Sequence, residues 1–202
     1  MNRNELKNIA EGLIETFNVA GQESIDLYNK GLKIEIKPDN SPVSNGDLRC
    51  NELITKKILE LTPNIPIVSE ESVDLKIKNK NKIFWLIDPI DGTKEYIVGK
   101  EEYTLNAALI INKVPCIGLV GVPKKKQLFY SYGDGDSYLI ENNKTIKNDC
   151  SKKTPKNEII ALSSSAHPSE EIMKELKKFK ITSVVKMASS YKFCVIANGE
   201  FD

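Results

Sequence analysis

Histidine occurs once in this 202-residue chain, at His167, and cysteine four times, at Cys50, Cys116, Cys150 and Cys194, with no C-x-x-C pair. That spacing excludes a zinc or dithiol redox motif and makes reduced thiols in a cytoplasmic protein the expectation. An excess of charge is missing too: 29 basic against 28 acidic residues leave a formal charge of +1. Surfaces for nucleic-acid polymers carry a marked basic excess, so no such partner is expected. A small phosphorylated ligand, held by a few local groups, stays compatible with that balance. No apolar run is long enough to span a bilayer. The start, Met1-Asn2-Arg3-Asn4-Glu5, leads into an amphipathic pattern rather than a signal peptide. Repeats and low-complexity segments are also lacking, and the lysine-rich Lys76–Lys82 and Lys124–Lys126 read as solvated loops. What is there, 40% hydrophobic and 28% charged residues, suits a soluble globular chain of one domain, or one and part of another.

Leu6, Ile9, Ala10, Leu13, Phe17 and Ala20 recur at helical spacing and predict a first helix with one buried face. Leu32, Ile34 and Ile36 alternate with Lys33, Glu35 and Lys37 as in a half-exposed strand, before a turn cluster at Pro38–Pro42. Leu48, Ile54, Ile58 and Leu61 predict a helix from Asp47 to Leu61, ended by Pro63. A short strand, Ile65 to Val68, then stops at Ser69-Glu70-Glu71. After a buried strand at Ile83–Ile87, the stretches Thr104–Ile111, Cys116–Val122, Gln127–Tyr132 and Ser137–Ile140 read as an antiparallel meander. The polar, Pro155-containing Ser151–Asn157 is the expected boundary between an α+β domain over residues 1–150 and the beginning of an α/β unit over 151–202. In that unit strand Ile159–Leu162, helix Ser169–Phe179, strand Thr182–Lys186 and helix Ser190–Ala197 alternate, and Asn198-Gly199 ends the last helix. Two strands and two helices are a thin core, so the second unit reads as unfinished.

The most informative segment is Trp85-Leu86-Ile87-Asp88-Pro89-Ile90-Asp91-Gly92-Thr93. Carboxylates at the end of a buried strand are costly unless a cation collects them. For Asp88, Asp91 and a further acid the economical collector is a hard divalent ion with oxygen ligands, which points to Mg²⁺. Asp47, Glu70-Glu71 and Asp88 with Asp91 all lie at predicted strand or helix ends. If they converge, two Mg²⁺ ions bridged by Asp88 would suit phosphate-ester hydrolysis. Pro89 donates no hydrogen bond and restrains the loop, leaving the Ile90 carbonyl as a further ligand. Gly92-Thr93 opens a helix whose free N–H groups favour a phosphate, and the Thr93 hydroxyl could relay a proton to Asp47. Each piece has a plainer reading. Asp-Gly-Thr is a common turn and N-cap, Glu70-Glu71 an exposed helix start, and Asp47 an N-cap. His167 before Pro168 reads as surface loop, and Lys192 as a solvated charge. No Ser or Cys is paired with a base, so no covalent intermediate is expected.

Asp47, Ser69-Glu70-Glu71 and Asp88-Pro89-Ile90-Asp91-Gly92-Thr93 resemble, in order and spacing, the motifs of the inositol monophosphatase-like phosphatases, which are Mg²⁺-dependent and lithium-sensitive. Within that superfamily the chain looks most like the bacterial 3'(2'),5'-bisphosphate nucleotidases. The residues behind this are Lys37-Pro38-Asp39-Asn40-Ser41-Pro42-Val43-Ser44, Asp91-Gly92-Thr93-Lys94-Glu95-Tyr96 and Ser189-Ser190-Tyr191-Lys192-Phe193-Cys194. Inositol phosphatases typically carry Thr-Asn-Phe in place of Lys94-Glu95-Tyr96. The resemblance implies a layered α-β-α-β-α sandwich, α+β then α/β, with the last part of the second domain missing. It implies a cytoplasmic monomer or homodimer that removes the 3'-phosphate of adenosine 3',5'-bisphosphate, a by-product of sulfate assimilation. Glu70, Asp88, Ile90 and Asp91 would hold the metal, Asp47 and Thr93 would activate water, and Glu70, Gly92, Thr93, Ser164, His167 and Lys192 would meet substrate. Ser165 stands where an arginine is usual and Ala188 where a glycine is. The family's later Trp-Asp motif lies beyond Asp202, which makes the chain read as a fragment of a longer product. The alternatives are an inositol or sugar phosphate phosphatase, or an inactive nucleotide- or metal-binding fragment.

Overall fold

The computed structural model describes residues 1–71, 82–149, 159–164, 169–181 and 183–201. The expected boundary at Ser151–Asn157, most of Lys76–Lys82, and Cys150, Ser165, His167 and Asp202 fall outside them. The chain opens with α1 (Arg3–Lys30), capped reciprocally by Asn2 and Glu5. It buries Leu6, Ala10, Leu13, Phe17 and Ala20, the stripe its spacing predicts. A separate two-stranded hairpin follows, β1 (Ile34–Ile36) against β2 (Pro42–Ser44). All three β1 residues are exposed rather than alternating, because their sole strand partner is β2 and neither joins the main sheet. Then comes α2 (Asn45–Leu61), whose N-cap is Ser44; Asp47 sits three residues in and closes a capping box.

Seven strands form the main sheet, in the order β3-β4-β5-β6-β7-β8-β9. They are β3 (Ile67–Ser69), β4 (Ile83–Asp91), β5 (Thr104–Ile111), β6 (Val114–Val122), β7 (Gln127–Tyr132), β8 (Ser137–Glu141) and β9 (Lys144–Lys147). Only β3–β4 is parallel; the rest is the expected meander with one further strand. Between β4 and β5 lies the short α3 (Thr93–Ile97). One face of the sheet (Trp85, Ile87, Leu105, Leu109, Ile117, Leu119) packs on α1 and α2 in a single core. The buried Trp85 indole satisfies its N–H on the Thr62 hydroxyl at 3.0 Å.

The other face receives the C-terminal unit: β10 (Ile160–Ser163), α4 (Glu170–Lys178), β11 (Ser183–Lys186) and α5 (Tyr191–Ala197). β10 and β11 pair in parallel, as an α/β alternation requires. Met187, Tyr191, Cys194 and Val195 bury against Val122, Phe129 and Leu139 in a second core, so the sheet is sandwiched. Apolar surface remains on this unit, with Phe179 at 70% and Phe193 at 64% exposure. Lys124–Lys126 is not a simple solvated loop, for Pro123–Lys125 forms a 3-10 turn. Lys124 and Lys125 lie over the Tyr28 and Tyr191 rings at 5.0 and 5.6 Å. Among the described residues no helix is long and apolar enough to cross a membrane.

Candidate active site

Two acids three positions apart on a regular strand point to opposite faces, because side chains alternate. The register of β4 on β5 removes that obstacle. Asp88 pairs with Asn106 and Asp91 with Thr104, so three steps on β4 oppose two on β5. The bulge at Pro89-Ile90 carries the extra residue and returns both carboxylates to one side. Gly92 follows in the left-handed region (φ 89°), which glycine adopts without penalty, and Thr93 starts α3.

Thr93 Oγ1 lies 3.1 Å from Asp47 Oδ1 and 3.2 Å from the Ile90 carbonyl, so its single proton serves one acceptor at a time. Asp47 Oδ2 accepts from the Ser44 backbone N–H at 2.8 Å and hydroxyl at 2.6 Å. Asp47 is buried, and desolvation raises its pKa above the ordinary carboxylate value despite these hydrogen bonds. The capping-box geometry thus fixes one oxygen and leaves the other for Thr93.

Asp88 is the most perturbed acid of the group. Loss of water, the nearby charges of Glu70 and Asp91, a hydrogen bond to Glu70 and the charge of Asp47 push its pKa up to about 8. Its Oδ1 is buried with no hydrogen-bond partner, a costly state that a cation would relieve. Asp91 Oδ2 accepts from the Ser190 N–H at 2.6 Å. Glu70 and Glu71 are both drawn to Lys37 Nζ, at 3.2 and 2.7 Å. Glu71, with its side chain only 5% exposed, is no exposed helix start. Among the described residues no three acidic, imidazole or thiol groups already surround one point. The donor set nevertheless fits a hard divalent cation, being all oxygen, mutually repulsive and holding a stranded lone pair.

The start of α5 packs beside these acids. Ala188 N–H donates to Glu102 at 2.8 Å, and the Ser190 hydroxyl donates to Asn106 Oδ1 at 2.6 Å and lies 2.8 Å from the Thr104 hydroxyl. The residue in the left-handed region is Ser189 (φ 52°) and not Ala188, so alanine in place of glycine strains nothing there. Lys192 Nζ folds back to the Ser189 carbonyl at 2.6 Å, which brings it to this rim. Ser164 is exposed directly after β10, whose last carbonyl accepts from Met187 N–H at 2.9 Å. A cavity of about 460 Å³ between α1 and the β6–β7 connection lies apart from the acids; Lys126 is the only charged residue in its lining.

Lys37, Ser44, Glu102, Asn106 and Ser190 shape the site without having been assigned a role from sequence. Lys37, Ser44 and Ser190 stood inside the motif strings, a signal of place but not of partner. Glu102 and Asn106 carried none.

Comparisons with known proteins place the chain in a family. The 3'(2'),5'-bisphosphate nucleotidase CysQ of Buchnera aphidicola subsp. Acyrthosiphon pisum is 35% identical over 185 residues, 89% of this chain and 68% of that protein. The crystal structure of CysQ from Bacteroides thetaiotaomicron superposes with a TM-score of 0.76 at 29% identity, over 98% of this chain and 78% of that one. An IMPase/NADP phosphatase complexed with Mg²⁺ and phosphate shares the fold at 18% identity, with a TM-score of 0.77 over 97% of this chain and 73% of that one. Residues 5–202, which include every element described above except the first two residues of α1, match the inositol monophosphatase family, and the chain belongs to it.

Proposed function

We propose that the chain is a Mg²⁺-dependent phosphatase that removes the 3'-phosphate of adenosine 3',5'-bisphosphate, giving AMP and inorganic phosphate. The single observation that carries this reading is the Asp47–Thr93 pair, set against a crowded acidic group with one buried, unpartnered carboxylate oxygen. The names of the CysQ relatives supply the substrate class. Glu70, Asp88, Asp91 and the Ile90 carbonyl would hold two or more ions, with lithium as an inhibitor. Bound there, Mg²⁺ supplies Lewis-acid charge and a more acidic water.

The chain's own groups supply the proton path. Thr93 passes its hydroxyl proton to Asp47 Oδ1 as its oxygen takes one from the attacking water. The water oxygen forms the new bond to phosphorus and the bond to the 3'-oxygen breaks, with solvent protonating the leaving group. Ser44 holds Asp47 through its other oxygen, and burial makes Asp47 a stronger base than a free carboxylate. The N–H groups of Gly92 and Thr93 at the start of α3 would steady the phosphate. A Cβ at Gly92 would lie 3.6 Å from Ser189 Cβ, so the proposed phosphate loop adjoins the start of α5. Lys192 on α5 would meet the nucleotide, as would Ser164 and His167.

Phosphate release from adenosine 3',5'-bisphosphate, with Mg²⁺ and with chelator, is the direct test. Turnover should need Mg²⁺ and vanish in folded Asp88→Ala. Clear preference for inositol 1-phosphate would overturn the substrate assignment.

A further inference from the structure

Tyr96 belongs to the triplet that separates this chain from inositol phosphatases, so a substrate contact would be its natural role. The structure gives it another. Tyr96 is 1% exposed, its hydroxyl donates to the Ser24 carbonyl of α1 at 2.6 Å, and its ring centroid is 4.7 Å from that of Tyr103. Ser24 is itself fixed, its hydroxyl bonded to the Gly21 carbonyl and to the Tyr103 hydroxyl, each at 2.7 Å.

Residues three apart on a helix share a face. On α3 that face carries Thr93 and Tyr96. Thr93 meets Asp47 in the first turn of α2, and Tyr96 meets the residue just before it, Gly46. A Cβ on Gly46 would lie 2.6 Å from Tyr96 Cε1 and 2.8 Å from Cζ, closer than real Cβ contacts. Gly46 does not have a positive φ, so no backbone conformation calls for glycine in this helix. Glycine is unfavourable within a helix. Its use here is to let the Tyr96 ring come down onto the backbone.

We propose that Tyr96 is a positioning residue: seated on Gly46 and tied to Ser24, it sets the separation of Thr93 from Asp47. The inference rests on reading those two residues as the water-activating pair. The partners of the Tyr96 side chain are Ser24, Tyr28, Tyr103 and Gly46, and it acts on Thr93 through the short α3.

The test compares the full chain with Gly46→Ala, Tyr96→Phe and Tyr96→Leu, each checked for folding by circular dichroism. Displacing a catalytic group by an ångström costs about a hundredfold in rate, so kcat of Gly46→Ala should fall about tenfold to a hundredfold. Mg²⁺ affinity, measured by calorimetry, should stay within about twofold, because the proposed carboxylate ligands lie outside α3, and KM should rise much less than kcat falls, because only the Gly92 and Thr93 N–H contacts move with α3. Tyr96→Phe, which keeps the ring as spacer, should lose less than Tyr96→Leu. If Gly46→Ala fails to fold, the ordering of the two Tyr96 variants and their kcat–KM split decide the matter. Unchanged kcat, or kcat, KM and Mg²⁺ affinity worsening together, overturns the proposal. A wild-type chain that hydrolyses no phosphate ester would instead sink the functional reading. Crystal structures of wild type and Gly46→Ala then carry the test: the Asp47–Thr93 distance should exceed about 3.5 Å, the limit of a hydrogen bond. A bond kept in Gly46→Ala refutes the positioning role.

Discussion

The crowding of acids around Asp88 makes a thermodynamic prediction that needs no turnover. In the metal-free folded protein Asp88 keeps its proton up to about pH 8, against 3.8 for an ordinary aspartate. Between those values the folded state binds more protons than the unfolded chain, so stability falls as pH rises through the window. A full shift would cost about 5–6 kcal/mol at the upper end. The carboxyl is only half-buried and shares its proton with Glu70, so we expect about half, roughly 2–3 kcal/mol. For a domain of this size that is a fall in Tm of about 5–10 °C between about pH 4 and about pH 8. Asp88→Asn removes the charge while keeping the shape. In chelator at about pH 8 it should melt higher than wild type by most of that amount, and its slope across the window should flatten. Adding Mg²⁺ should raise the wild-type Tm and leave Asp88→Asn nearly unchanged. Differential scanning calorimetry in chelator and in Mg²⁺ reads all of these quantities. An Asp88→Asn variant no more stable than wild type at high pH without metal would refute the reasoning, since the carboxylates would then not repel one another.

Three further outcomes follow from particular contacts. Thr93→Ala should lower kcat by about a hundredfold to ten-thousandfold with little change in KM, because the hydroxyl moves a proton instead of binding substrate; stopped-assay phosphate release checks this. Lys37→Ala leaves the Glu71 carboxylate buried without its cation and should cost about 2 kcal/mol in urea unfolding at neutral pH, less in acid where Glu71 takes up a proton. In thiol labelling of the native protein Cys116 should react well before Cys50 and Cys194, which are buried and whose thiols desolvation holds above the usual range; equal rates for Cys50 and Cys116 would contradict the packing of α2.

The capping residues tie these predictions to the chain's local chemistry. Ser44 serves α2 as its N-cap and Asp47 as a hydrogen-bond donor, so a helix start and the proposed catalytic base are one structure. That explains why Asp47 can be buried: its carboxylate is compensated by groups that the capping box supplies anyway.

Local periodicity was enough to specify α1, α2, the meander and the alternation after β10, because each buries one face and its apolar residues repeat at the matching period. The acids Asp47, Glu70, Asp88 and Asp91 could be named in advance, since carboxylates at element ends have few uses besides binding a cation or capping a helix. Strand β9, Lys144–Lys147, escaped because all four residues are exposed at the sheet's edge and leave no alternation to read. Where side chains meet was another matter. That Asp88 and Asp91 share a side depends on a bulge defined by the register with β5. That Lys37 reaches Glu70 and Glu71, that Ser190 holds Asp91, and that Tyr96 lies inside against Gly46 depend on elements separated by tens of residues along the chain. The sequence by itself determined which chemical groups exist and what local shapes they prefer. Only tertiary packing decided which of them meet, because contact between distant segments is set by how whole faces bury together and not by the spacing of letters within either one.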